Sequence, residues 1–241
     1  MTPYIAEFVG TALLILLGDG VSANVVLAKS KGNSSGWIVI ATGWGLAVMV
    51  AVYAVASLSG AHLNPAITIG LASIGLFSPA KVAGYIAAQV AGGVFGAALV
   101  WLTYYPHWKE TPDPVAKLSV FCTVPAIRCP MANFFCEVIG ATVLVFGALA
   151  IPSVHNFTER GWATGLGPLL IGLLIFAIGL SLGGPTGYAI NPARDLGPRI
   201  AHAILPIAGK GGSDWAYAWI PIAGPIVGGV LGALSYKALL G

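Results

Sequence analysis

Charge is what this sequence has least of. Asp, Glu, Lys and Arg make up 8% of its 241 residues, against about 25% in ordinary soluble domains, so no water-facing shell can be assembled from them. The net charge of +3 is small and scattered. With no basic run and no alternation of aromatic and basic residues, it gives no grounds for a nucleic-acid partner. Cysteine is nearly absent too. Cys122, Cys129 and Cys136 stand seven apart with no histidine beside them, where zinc sites want two to four residues between paired ligands, so neither a metal nor another cofactor is expected. Cys136 opens an apolar run and reads as a small apolar residue. Cys122 and Cys129 share one loop and either pair, if that loop faces an oxidising side, or stay free. The start, MTPYIAEFVG, carries no basic stretch ahead of its apolar run, so no cleavable signal is expected. No nucleophile–base pair or ligand cluster converges along the chain, which ranks an enzyme last among its functions.

Apolar residues are abundant at 57%, and there are 33 glycines, a residue more frequent in membrane helices than in soluble ones. A helix crossing the bilayer needs about 20 mostly apolar residues. Six runs qualify, at 3–28, 37–58, 80–103, 132–151, 162–182 and 215–239. Two further apolar stretches, 60-GAHLNPAITIG-70 and 187-GYAINPARDLG-197, are too short to cross and read as re-entrant.

The chain repeats itself. The segment 6-AEFVGTALLILLG-18 matches 136-CEVIGATVLVFGA-148, aligning Glu7 with Glu137 at an offset of 130; Asn64 matches Asn191 at 127, and 91-AGGVFG-96 matches 223-AGPIVG-228 at 132. Residues 1–103 and 132–241 thus form two half-repeats of a single domain, 1–241, joined by a Pro-rich loop at 104–131. Three spans per half is an odd number, so the second copy enters the membrane upside down. The fold class expected is an all-α membrane protein, six transmembrane helices plus two re-entrant half-helices in an inverted repeat.

Charge does not settle its orientation. With both termini in the cytoplasm, the inner side holds Lys81, Arg160 and Lys237, while Lys29, Lys31, Lys109, Lys117, Arg128 and Lys210 face outward. That runs against the positive-inside rule, although long loops such as 104–131 count for little in it.

Irregular backbone at membrane depth persists only where it is buried in protein or lines a wet cavity. Asn is a favoured N-cap, and Pro suits the first helical position. Asn64, Pro65 and Ala66 therefore start a half-helix over about 65–74, and Asn191, Pro192 and Ala193 another over about 192–203. The inverted repeat brings their N-termini together near the midplane. Each carries roughly half a positive charge, a barrier to cations and protons but not to neutral molecules. The runs 59-SGAHL-63 and 183-GGPTGYAI-190 offer carbonyls as acceptors. Such a lining suits a neutral, hydrogen-bonding solute, whose hydroxyls cost about 2–7 kcal/mol to bury without partners.

Over essentially its whole length the chain resembles the aquaporin, or major intrinsic protein, family. The resemblance rests on both Asn-Pro-Ala motifs, the block 60-GAHLNPA-66, and Glu7 and Glu137. Within that family it is similar to the bacterial glycerol facilitators, or aquaglyceroporins, whose second motif continues as in 191-NPARD-195; Arg199 stands where those channels carry a basic residue. The resemblance implies a passive channel for glycerol and similar small neutral solutes, with water as co-permeant. Dihydroxyacetone, urea, hydrogen peroxide and protonated small carboxylic acids are further candidates. It also implies a multi-pass protein of the cell membrane, surrounded by the lipid bilayer and assembled as a homotetramer. Carried over by spacing, the family's narrowest point falls on Trp44, Gly179, Tyr188 and Arg194. Gly179 is expected to widen the opening. Trp44 and Tyr188 would give an apolar corner for a solute's carbon backbone, and Arg194 donors for its oxygens; Tyr188 adds a hydroxyl where glycerol facilitators usually have Phe.

Other polar residues admit two readings. Arg194 could instead form an ion pair with Asp195, and Asp195 could serve simply as a negative charge at a helix start. Glu7 and Glu137 either relay protons or, as the resemblance implies, bind loop N–H groups and fix the half-helices. His62 either gates by protonation or is structural. Asp19 faces a vestibule or a neighbouring subunit. A water-selective channel is the nearest alternative, against which Gly179 and Trp44 speak. An ion-coupled transporter needs a midplane carboxylate, where this chain has Asn64 and Asn191.

Overall fold

A computed structural model of the protein describes residues 1–153 and 165–241. Regular structure among them is entirely helical: α1 (Pro3–Val26), α2 (Trp37–Ser59), α3 (Pro65–Ser73), α4 (Pro79–Thr103), α5 (His107–Glu110), α6 (Pro114–Phe121), α7 (Pro130–Ala150), α8 (Gly167–Leu182), α9 (Pro192–Ile204) and α10 (Trp219–Leu240). Proline, abundant here, starts these helices rather than breaking them. Seven of the ten carry Pro in the first or second position, where an N–H would have had no intrahelical partner.

α1, α2, α4, α7 and α10 are long and apolar enough to cross a membrane. The sixth expected span appears as α8, 16 residues from Gly167, about 24 Å at the usual helical rise. Its expected first residues, 162–164, and Arg160 lie outside the described residues. The last span starts at Trp219 rather than 215 because residues 214–218 form a turn, with Tyr217 N bonded to Asp214 O at 3.0 Å and Ala218 N to Trp215 O at 3.1 Å.

The stretch 104–131 is not a bare loop. Asp113 accepts from Val115 N at 2.8 Å and, with Pro114 behind it, starts α6. Trp108 of α5 and Phe121 of α6 stack at 5.3 Å and are both buried, which pins this cover to the helical body. Cys122 is buried, Cys129 is exposed, and all three cysteines are free, so Cys122 and Cys129 are not bridged.

α1 packs on α2 and α4, and α7 packs on α10 and α8. Each half-helix lies against a span of the other half: α3 on α10, and α9 on α4. The backbones approach until no side chain fits between them. A Cβ on Gly70 would stand 2.7 Å from Gly229 O, and one on Gly197 would stand 2.9 Å from Gly93 Cα. Small residues permit such contact where there is no hydrophobic force to press helices together.

Candidate functional site

Each half-helix is set by its own Asn. Asn64 Oδ1 accepts from Ala66 N at 2.8 Å, and Asn191 Oδ1 accepts from Ala193 N at 3.0 Å and from Arg194 N at 3.3 Å. The same amides bond across to each other's loop. Asn64 Nδ2 donates to Ile190 O at 2.9 Å, and Asn191 Nδ2 donates to Leu63 O at 2.8 Å. The two helix starts therefore meet. An amide nitrogen has two N–H groups, and the second of each is left for the cavity that both residues line.

A buried carboxylate stands behind each approach loop. Glu7 accepts from His62 N (2.9 Å), Leu63 N (2.7 Å), Ser59 Oγ (2.6 Å) and Gln89 Nε2 (2.8 Å). Glu137 accepts from Ala189 N (3.1 Å), Ile190 N (2.7 Å) and Thr186 Oγ1 (2.6 Å). Across a trans peptide, the carbonyl of one residue points opposite to the N–H of the next. These bonds therefore turn the carbonyls of Ala61, His62, Tyr188 and Ala189 away from the carboxylates, along the cavity that all four residues line. The alignment needs left-handed backbone at non-glycine residues: Ala61 (φ 49°), Leu63 (φ 52°), Tyr188 (φ 40°) and Ile190 (φ 43°). Each costs of order 1–3 kcal/mol, and hydrogen bonds to a charged acceptor, roughly 1.5–3 kcal/mol apiece, offset it.

Three cavities adjoin in sequence. The central one, about 60 Å³, contains the Asn pair. It shares Val52, Ala61, His62, Ile67 and Ile171 with a vestibule of about 260 Å³, and Trp44, Tyr188 and Arg194 with another of about 170 Å³. The latter three residues thus stand where the narrow section opens out. The Arg194 guanidinium lies over the Trp44 ring, 4.0 Å from its centroid. The Tyr188 hydroxyl has no hydrogen-bond partner among the described residues.

Gly179 does not widen the opening as expected. It lies behind Tyr188: a Cβ there would stand 2.9 Å from both Cζ and Oη of that ring and 3.2 Å from Ala41 Cβ. Glycine makes room that the tyrosine ring then fills. Trp37 supports the same ring edge-on at 5.8 Å and donates from Nε1 to Gly179 O at 2.9 Å.

The expected alternative for Arg194, an ion pair with Asp195, is corrected. Asp195 pairs with Arg199 (2.8 Å) one helical turn on, and accepts from Thr123 N (2.8 Å) and Thr123 Oγ1 (2.6 Å), tying the end of α6 to α9. It therefore does more than place a negative charge at a helix start. The carboxylate beside Arg194 is Asp19, which is wholly buried, 3.9 Å from Nη1; it stands behind the narrow section and not on a vestibule surface. His62 Nδ1 lies 3.1 Å from Thr68 Oγ1, and its ring packs against Phe77 and Tyr85.

Sequence reasoning passed over Gln89, Thr186, Thr123 and Trp37. Gln89 bonds to both Glu7 and Thr68, and a polar amide in the middle of an apolar span was a signal that could have found it. Thr123 and Thr186 carry no such mark, since their partners are remote in the chain.

The model of the family described as Major intrinsic protein matches residues 1–236. The chain is 64% identical over 239 residues to the "Probable glycerol uptake facilitator protein" of Thermotoga maritima, covering 99% of this chain and 100% of that one. It is 60% identical over 235 residues to "Glycerol uptake facilitator protein 3" of Lactiplantibacillus plantarum, covering 98% and 95%. Among solved structures, the aquaglyceroporin from Plasmodium falciparum superposes with a TM-score of 0.87 at 33% identity, covering 98% of this chain and 95% of the other.

Proposed function

The chain belongs to the major intrinsic protein family, and from that membership we propose that it is a passive channel conducting glycerol and similar small neutral solutes, with water as co-permeant. It is a multi-pass membrane protein and not an enzyme. The observation that carries the reading is the reciprocal bonding of Asn64 and Asn191 in the wall of a cavity that shares lining residues with a vestibule on either side. The carbonyls of Ala61, His62, Tyr188 and Ala189 replace water as acceptors for a solute's hydroxyls, and the free amide N–H groups serve as donors. Two helix N-termini, each roughly half a positive charge, oppose cations and protons at the same point. Among the described residues, no carboxylate lines the cavity at the Asn pair to carry a coupling ion, which favours a channel over an ion-coupled carrier.

Trp44, Tyr188 and Arg194, with Gly179 setting the position of the Tyr188 ring, form the selectivity filter in this proposal. The rings of Trp44 and Tyr188 take the carbon side of a polyol, while Arg194 and the Tyr188 hydroxyl meet its oxygens. Glu7, Glu137, His62 and Asp195 are its structural support. Dihydroxyacetone, urea, hydrogen peroxide and protonated small carboxylic acids belong to the same size and polarity class. Homotetrameric assembly in the lipid bilayer is part of the proposal; a groove of about 350 Å³ between α1 and α4, with Asn24 and Thr103 among its residues, gives a neighbouring helix somewhere to pack.

The test is osmotic swelling of vesicles containing the pure protein across this panel. Glycerol should enter fast and longer polyols slowly. A protein that passes water but not glycerol would overturn the assignment in favour of a water-selective channel.

A further inference from the structure

Three α1 residues stand behind the narrow section rather than in it. Gly18 leaves the Trp44 ring its place, since a Cβ there would collide with three ring carbons. Ser22 Oγ accepts from Trp44 Nε1 at 3.1 Å and donates to Gly18 O at 3.1 Å. With the indole fixed, the guanidinium of Arg194 rests on its face. Asp19 completes the arrangement: it is fully buried, its Oδ1 is 3.9 Å from Arg194 Nη1, and neither oxygen meets a hydrogen-bond donor among the described residues. The other charged group near it, Asp195, has the same sign and is already paired with Arg199. A buried carboxylate without donors persists where a counter-charge answers it, and Arg194 is that counter-charge.

The consequence concerns ions. The two half-helix starts and Arg194 all contribute positive potential around a single pore section, which by itself would draw small anions in. We propose that Asp19 is a specificity-determining residue: it holds Arg194 against Trp44 and cancels the guanidinium's field, so that the filter rejects anions as well as cations. This rests on the channel reading above. Asp19 acts through Arg194 and touches no solute; its part is positioning and charge balance.

The experiment uses nitrate as probe anion in proteoliposomes, with glycerol swelling measured on the same vesicles, for the wild type, Asp19→Asn and the double variant Asp19→Asn/Arg194→Gln. Asp19→Asn should raise nitrate permeability by about tenfold or more, as expected for an uncompensated charge at this range, and the double variant should be nitrate-tight again. Asp19→Asn that still conducts glycerol yet stays nitrate-tight overturns the proposal. If Asp19→Asn loses glycerol flux, its recovery in the double variant supports the charge-balance role, and failure to recover reduces Asp19 to a packing residue and overturns it. Absence of glycerol swelling in the wild type would sink the channel reading separately, while the nitrate comparison would still judge Asp19.

Discussion

Adding one methyl group behind the filter should narrow it. In Gly179→Ala the new Cβ would lie 2.9 Å from Cζ and Oη of Tyr188 and 3.2 Å from Ala41 Cβ. Carbon atoms sit comfortably at about 3.5–4.0 Å, so the ring tip must move by roughly 0.6–1 Å. It has little choice of direction. Trp37 lies at its edge, Gly183 is packed against Cδ1, and the loop backbone is fixed by Glu137. The open side is the channel, whose wall Tyr188 forms at the narrow section. Overpacking of this kind costs about 1–3 kcal/mol. Transferred to the barrier for a solute that fills the section, it lowers glycerol permeability by about 5- to 150-fold, while the thinner water molecule loses less. Stopped-flow swelling of proteoliposomes measures both. Gly179→Ala/Tyr188→Ala, which removes the displaced ring, should recover glycerol flux. Unchanged glycerol flux in the single variant, or an equal fall for water and glycerol, would refute this account of Gly179.

Four further outcomes are expected. Glu7→Gln leaves two buried donors facing an amide nitrogen and Glu137→Gln leaves one, at about 1–3 kcal/mol per orphan, so thermal unfolding in detergent should show Glu7→Gln as the more damaging. Arg194→Val abandons a buried carboxylate, a loss of about 3–5 kcal/mol, and should admit a cation leak; adding Asp19→Asn should restore part of the melting temperature. Cys129 should react with a maleimide in the folded protein, whereas buried Cys122 should react only after unfolding, and non-reducing mass analysis should find no bridge. The exposed Lys29–Glu110 pair holds the Glu110 carboxyl below its ordinary range through its hydrogen bond. The stability it adds is present above the ordinary carboxylate range and disappears as pH falls through the lowered value, so the difference in melting temperature between wild type and Glu110→Gln should close on acidification.

How far the sequence could be read depended on the reach of each interaction. Helix starts are local events: Asn64 and Asn191 followed by Pro and Ala put the beginnings of α3 and α9 on the right residues. The apolar runs match the five long spans to within a few residues, because length and composition alone decide them. Residues 104–131 look like a loop in the sequence because their charges and prolines mask two short helices whose burial depends on Trp108 and Phe121 meeting from different elements. At the filter, spacing from the motifs brought Trp44, Tyr188 and Arg194 to one place, but not the direction of their side chains. That Tyr188 occupies the space left by Gly179, or that Asp19 and not Asp195 faces Arg194, is decided by three-dimensional packing between helices far apart in the chain. No local pattern carries that information.

The central claim is that two helix starts, joined through Asn64 and Asn191, let a hydrogen-bonding neutral molecule through while stopping protons. Vesicles containing the pure protein and a trapped pH dye, subjected at once to a glycerol gradient and a proton gradient, test it directly. The account predicts rapid swelling with the dye signal decaying no faster than in protein-free vesicles. Dissipation of the proton gradient along with glycerol entry would contradict it.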